Sequence, residues 1–441
     1  MCRVSPTYFQ GITAATLTQR KARYYDAFHC LADRCPDTCC EGWRVGVDKT
    51  TFEKYQNCPD PVLGTPLQEL ITINPASFTN DTFATITTAG ARCPFLSEGL
   101  CSIQIRLGEK NLGNMCASYP RISNIIDGVL ERSLDLSCPE AARLAMTDPA
   151  PLQFLLTENG TPNRSSSEQE MESRLANVSV LNTAESPEHH HLLEIRKLVF
   201  SILQNRRYSL SKRLALLGHV CEKLNEIARG RMFDKTIQVL EGFSVAIATG
   251  LFEDHLNRLT AHPTKQLEIV LEFIVARIGS DYTPPRFFDL YQQFMEGLEW
   301  TPEASIDDIG CRYREAHDNI YAPFIENHEY LLEHYLVNNA YRTVFPFGSH
   351  AVKQQMGLHA VENPIITQYV LLVSYYAIVK AILVGLAAYY KSDFGTVHVL
   401  QAVQACSKTF EHSVSFPTQL LGILANHAID TTAGMVLLIQ N

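Results

Sequence analysis

From residue 191 onward, apolar residues recur at i, i+3, i+4 and i+7 almost without a break. That spacing predicts helices over 193–205, 209–229, 235–259, 265–278, 287–298, 306–341, 366–390, 396–412 and 417–440. Before residue 150 the pattern is different: short alternating runs are broken by Pro, Gly and Asn. The clearest is 122–136, where Asp127-Gly128 separates two apolar runs and predicts a hairpin. In its returning strand Leu130, Leu134 and Leu136 share a face, and Glu131, Ser133 and Asp135 point the other way. Arg132 falls on the apolar face and requires a partner. Thr50 with Glu53, and Ser137 with Glu140, have capping-box spacing and predict two helix starts. The second places Cys138 in a first helical turn, where the helix N-terminus favours a thiolate. Residues 43–47 predict a short strand, 58–92 a loop with short strands, and 1–23 an arm that is partly helical at best.

Residues 157–190 are polar and poor in large apolar side chains, which predicts a linker. The run His189-His190-His191 at its end reads as solvated rather than as a metal tract. The fold class expected is therefore mainly α. A cysteine-rich, metal-binding α+β N-terminal domain (1–150) and a polar linker (151–190) precede an all-helical C-terminal domain (191–441). One segment, 369–387, is as long as a membrane span, but Lys380, Tyr375 and Tyr376 sit mid-segment, so a buried core helix is expected rather than a span.

Composition narrows the partners. The chain has 441 residues and a net charge of −10, which disfavours free nucleic acid and fits a basic or lysine-bearing protein partner better. The first residues, Met1-Cys-Arg-Val-Ser-Pro, contain no apolar leader, so a cytoplasmic location with reduced thiols is expected.

The cysteines carry the candidate chemistry. Ten of the 13 lie at or before residue 138, where chance placement would put about four. Such clustering in a reducing compartment points to metal rather than disulfides. Cys30, Cys35, Cys39, Cys40, Cys93, Cys101, Cys116 and Cys138 are the candidate ligands, enough for one four-iron cluster with spares or for two metals. Their spacings are C-x4-C-x3-C-C, then C-x7-C, C-x14-C and C-x21-C, which match neither paired zinc knuckles nor a ferredoxin run. Zinc and iron–sulfur therefore both stay open on spacing alone. Cys2, Cys58, Cys221, Cys311 and Cys406 are assigned to packing or surface. No G-x-G-x-x-G, P-loop, H-E-x-x-H or G-x-S-x-G is present. Arg121, Arg132 and Arg143 flank the last two candidate ligands and read either as structural pairs or as partners of a ligand carboxylate.

Several of these segments together resemble the bacterial flagellin lysine-N-methylase family. They are Ala27-Phe28…Cys30…Cys35…Cys39-Cys40-Glu41-Gly42-Trp43, Cys93-Pro94-Phe95-Leu96, Cys116…Tyr119-Pro120-Arg121 and Glu131-Arg132-Ser133-Leu134…Ser137-Cys138-Pro139-Glu140. The resemblance covers residues 24–146. It implies methyl transfer from S-adenosylmethionine to lysine Nε groups of flagellin, with a [4Fe-4S] cluster. In that reading Tyr119, Arg121 and Arg132 are the candidate cofactor-binding residues, and Tyr119 and Glu131 are the nearest candidates for a base. The alternatives are a non-catalytic iron- or zinc-binding module and a redox protein.

Overall fold

A computed structural model describes residues 17–42, 45–75, 82–87, 91–157, 178–280, 282–348 and 364–440. Its organising element is a five-stranded sheet made from β1 (Gln19–Ala22), β7 (Arg121–Ile126), β8 (Val129–Leu134), β9 (Phe154–Thr157) and β10 (Ser179–Leu181), in the order β10-β7-β8-β1-β9. The β7–β8 hairpin is the one expected. Asp127 and Gly128 both take positive φ, 49° and 76°, as a type I′ turn requires, and Arg121 pairs with Leu134 across the ladder.

The end of the expected N-terminal arm is corrected; residues 1–16 of it lie outside the described residues. Residues 19–22 form β1, inserted between β8 and β9, parallel to the first and antiparallel to the second. Two parts of the expected linker are corrected likewise, because 154–157 and 179–181 are the two edge strands. The two strands are short, Phe-Leu-Leu-Thr and Ser-Val-Leu, and the polar residues around them mask them in the sequence. Residues 158–177 lie outside the described residues, and Thr183–Glu185 and Pro187–His189 form short 3-10 turns.

A smaller unit lies between β1 and β7. It contains the sheet β2-β4-β3 (Gly46–Val47, Ala84–Ile86, Ile71–Ile73) and the hairpin β5–β6 (Leu96–Ser97, Leu100–Cys101). Its own core gathers Val47, Tyr55, Leu67, Ile71, Phe95 and Ile103. Helix Lys49–Gln56 starts two residues before the expected point, because Asp48 is the cap and accepts from the Thr51 amide. Helix Gly64–Leu70 occupies a stretch expected to be loop. Trp43 and Arg44, the start of the expected strand at 43–47, are outside the described residues.

The C-terminal half is helical, as expected. Helix Pro364–Tyr390 is apolar on every side and buried almost throughout. It is the one described helix long and apolar enough to cross a membrane, and its apolar window is wholly enclosed by the protein. Gly297 and Gly385 let helix Pro285–Gly297 cross it closely: a Cβ on Gly385 would lie 2.2 Å from Phe294 Cδ2. Helix Tyr330–Arg342 lies against β7, β8 and helix Pro139–Met146, so sheet and helices share one core. Expected helix 306–341 is broken by a π segment, His317–Tyr321, just before Pro323. A second π segment, Ser407–Glu411, follows helix Thr396–Cys406.

Candidate functional site

Three pieces of chain remote in sequence meet at one cleft. The loop 37–42 forms one wall, Tyr119 and Ser137 the floor, and the π segment with His412 the other wall; the lining residues are Cys39, Glu41, Gly42, Tyr119, Ser137, Lys408 and His412. A π turn inserts one extra residue, and here Lys408 reaches one loop while Glu411 turns into the core. Lys408 Nζ donates to both carboxylate oxygens of Asp37, at 2.9 Å each, and to the Thr38 carbonyl at 2.7 Å. Gln404 Nε2 donates to Asp37 and to the Ser137 carbonyl, both at 2.8 Å. The loop carrying Cys39 and Cys40 is thus tied to the C-terminal helices.

Behind the floor lies a buried charge network. Asp135 accepts from the Ser137 amide at 2.9 Å, pairs with Arg342 at 3.5 Å and faces His412 Nε2 at 3.3 Å. Arg342 also pairs with Glu411, which accepts from Tyr335 at 2.9 Å and from Ser407 at 3.0 Å. Burial opposes the Asp135 charge, but the Arg342 guanidinium and His412 outweigh it and hold its carboxyl well below the usual range. The Tyr119 hydroxyl is 2.9 Å from Ser137 Oγ, and burial keeps the phenol neutral far above its ordinary value.

The cysteines fall into two groups. Cys93 is buried in the core of the smaller unit, and Cys40, Cys58, Cys101 and Cys116 pack against that core; the Cys93 amide donates to the Cys40 carbonyl at 2.9 Å. The Cys40 thiol bonds Cys101 and Cys39, which pushes both of those thiols down and Cys40 itself up. Burial raises Cys93 and Cys116. Cys138 belongs instead to the core shared with the helices, and Cys30 and Cys35 lie within its electrostatic reach. Cys39, at the surface, faces the cleft.

The expectation for Cys138 is corrected. It caps helix Pro139–Met146 itself, one residue after the expected Ser137, which bonds Tyr119 instead. The amides of Ala141 and Glu140 do face its sulfur, but burial outweighs them and pushes the thiol up to about 12. Among the described residues no three His, Cys, Asp or Glu side chains are grouped so as to hold a metal ion. The thiols in and around the core of the smaller unit, Cys40, Cys58, Cys93, Cys101 and Cys116, are soft donors of the kind iron–sulfur clusters use.

Of the three expected cofactor-binding residues, only Tyr119 lines the cleft. Arg121 is half-buried with its guanidinium 5.0 Å from the Phe28 ring centre. Arg132 is buried in the sheet and donates to the Tyr25 hydroxyl at 3.0 Å, the partner its apolar face required. Arg143 pairs with Glu140 one turn away. Glu131, expected as a possible base, is buried between Arg20 and Arg196, 2.8 Å from each, and is structural. His189 packs edge-on against Phe347. Asp37, Asp135, Arg342, Lys408 and His412 escaped the sequence reading because nothing local marks them: His412 and Asp135 are 277 residues apart.

Comparison with known proteins supplies the family. Residues 196–438 match the model of the FliB lysine N-methylase C-terminal domain. A 134-residue stretch, 30% of this chain, is 32% identical to the flagellar biosynthetic protein FliU of Salmonella muenchen, of which it covers 79%. The lysine-N-methylases of Salmonella typhimurium and Salmonella choleraesuis match at the same 32% identity over 134 residues, which is 33% of each. The chain therefore aligns with about a third of those two enzymes' length. No solved structure matches. With more than half of its length fitting one domain model, and most of a flagellar relative covered, the chain belongs to the FliB lysine N-methylase family.

Proposed function

We propose that the chain methylates lysine Nε groups of flagellin in the cytoplasm, with S-adenosylmethionine as methyl donor. The observation that carries the reading is the family match over residues 196–438, which includes both Lys408 and His412 of the cleft. We further propose that Cys40, Cys93, Cys101 and Cys116 hold a [4Fe-4S] cluster: Cys93 lies in the smaller unit's core, and the other three, like Cys58, pack against it. Its contact with Cys40 pushes Cys101 toward the thiolate that iron requires, whereas Cys40, Cys93 and Cys116 are pushed up, so a bound metal's own charge would have to hold those three as thiolates. When bound, such a cluster supplies an electron-poor iron able to take the amino and carboxylate groups of the donor.

The chain's own residues do the rest. The loop held by Asp37–Lys408 shapes the cleft. Tyr119 and Ser137, both lining the cleft, offer neutral hydroxyls to a bound polar group. Transfer itself needs a neutral amine in line with the sulfonium methyl: an N–C bond forms, the S–C bond breaks, and its electron pair stays on sulfur.

The test is incubation of the purified protein, prepared anaerobically, with flagellin and methyl-labelled S-adenosylmethionine, followed by mass spectrometry of flagellin lysines. Label on lysine Nε is expected. No label on flagellin or on any other lysine-bearing protein overturns the methylase reading. Labelling of other basic proteins but not flagellin overturns only the substrate. Iron and sulfide should fall on Cys→Ser at 40, 93, 101 or 116 and not at 221, 311 or 406; equal loss from both sets, or zinc alone, overturns the cluster.

A further inference from the structure

A metal ligand holds its place only as well as the groups behind it do, and losing one such partner typically costs about 10–100-fold in metal affinity. We infer that Asp37 and Lys408 form a clasp by which the C-terminal helices hold the proposed ligand Cys40 in position, so that these helices set how tightly the smaller unit keeps its cluster. The inference rests on the [4Fe-4S] reading above.

Two runs of hydrogen bonds carry it, and they meet at Cys40. The first starts in the C-terminal half. Lys408 Nζ donates to both carboxylate oxygens of Asp37 and to the Thr38 carbonyl, and Gln404 Nε2 adds a bond to Asp37. Asp37 Oδ1 in turn accepts from the Thr38 amide at 2.8 Å, and Thr38 Oγ1 accepts from the Cys40 amide at 3.2 Å. The second run starts in the smaller unit. The Cys93 amide donates to the Cys40 carbonyl at 2.9 Å, and the Gly42 amide donates to the Ala91 carbonyl at 3.0 Å. A β-bridge joins Glu41 to Arg92 between them. The amide of Cys40 is thus fixed from the C-terminal helices, and its carbonyl from the segment that carries Cys93, a second proposed ligand.

The rest of the loop is pinned from the same half of the chain. Arg286 Nη1 donates to the Pro36 carbonyl at 2.9 Å, and the Tyr282 hydroxyl donates to Glu41 at 3.3 Å. Arg286, Tyr282, Gln404 and Lys408 therefore hold residues 36–41 together, although none of the four has a thiol. The Asp37–Lys408 pair is the charged and nearly enclosed tie among them, and charge-assisted bonds are roughly twice as strong as neutral ones. A ligand whose backbone is held on both sides has little freedom to leave a metal, and one held on a single side has more. The labour is divided accordingly: the smaller unit supplies the thiols, and Asp37 and Lys408 act as positioning residues behind one of them.

The test follows iron as it passes from the full chain, prepared anaerobically, to 2,2′-bipyridine. Asp37→Ala and Lys408→Met should each lose iron about 10–100-fold faster than wild type. The double variant should lose it no faster than the faster single variant, because both changes cut the same tie. Thr38→Val leaves the Asp37–Lys408 pair and the Thr38 carbonyl in place and removes only the hydroxyl that holds the Cys40 amide. It should fold like wild type and lose iron roughly two- to tenfold faster, as the loss of one neutral hydrogen bond predicts. Glu131→Gln, whose partners are Arg20 and Arg196 in the sheet, is the control for general destabilisation and should keep the wild-type rate. Wild-type rates in Asp37→Ala, Lys408→Met and Thr38→Val would overturn the clasp. Equally fast loss from Glu131→Gln would overturn it too, by making the effect one of overall stability. If the two charge variants fail to fold, Thr38→Val against Glu131→Gln decides. A wild-type protein that holds zinc alone would instead overturn the cluster reading, and zinc release to 4-(2-pyridylazo)resorcinol would then rank the same variants. A wild-type protein that binds neither metal overturns both.

Discussion

Removal of the Asp37 carboxylate tests whether the cysteine loop is held by the C-terminal helices. In Asp37→Ala, Lys408 keeps only the Thr38 carbonyl among its three bonds, and Gln404 loses one of its two. Both partners are nearly enclosed, with side chains 8% and 11% exposed, so water replaces the lost contacts poorly. Breaking a buried pair by removing one partner costs about 3–5 kcal/mol, mostly from the charge left behind. Unfolding entropy of about 2.1 cal/mol/K per residue gives roughly 0.9 kcal/mol/K for 441 residues, so the melting temperature should drop by about 3–5 °C. The double variant Asp37→Ala/Lys408→Met removes the stranded charge and should recover much of the loss. Calorimetry of the wild type, both single variants and the double variant closes the cycle. Losses that simply add, or a fall of less than about 1 °C in Asp37→Ala, would refute the reasoning. The same variant should make Cys39 more reactive towards a thiol reagent, since Thr38 and Cys39 share the released loop.

Glu131→Gln should destabilise the protein by roughly 3 kcal/mol, because Arg196 is then left buried without its counter-charge; an unchanged urea midpoint would count against this. Gly385→Ala should cost at least about 1–3 kcal/mol, since its Cβ would sit 2.2 Å from Phe294 Cδ2, and an unaltered melting temperature would contradict the close helix crossing. Burial pushes Lys380 down to about 7, against the weaker pull of Glu329. Its folded value lies below the unfolded one, so the unfolded chain binds more protons between about pH 7 and 10.4 and stability rises with pH across that window. Lys380→Met should flatten that rise, as read from urea midpoints at either end of the window; an undiminished slope would assign it to another group.

Several features were legible before any coordinates because their cause is local. Asp127-Gly128 specifies a hairpin turn through its own dihedral preferences, and the apolar run around Lys380 specifies a buried helix whatever surrounds it. The density of cysteines before residue 138 likewise marks the site-bearing region by composition alone. Tertiary structure decided the rest. β1, with the sequence Gln-Arg-Lys-Ala, has no strand signal of its own; it lies in the sheet because β8 and β9 satisfy its backbone from both sides, while its charged side chains find Glu131 and Asp26. The amide-facing position of Cys138 pointed to a thiolate, and burial, which no sequence window reports, reverses that. Asp37 meets Lys408 across 371 residues, and Asp135 meets His412 across 277. Such pairings leave no trace in spacing or periodicity, because a charge buried by folding answers to whichever partner the packing brings within reach and not to its neighbours along the chain.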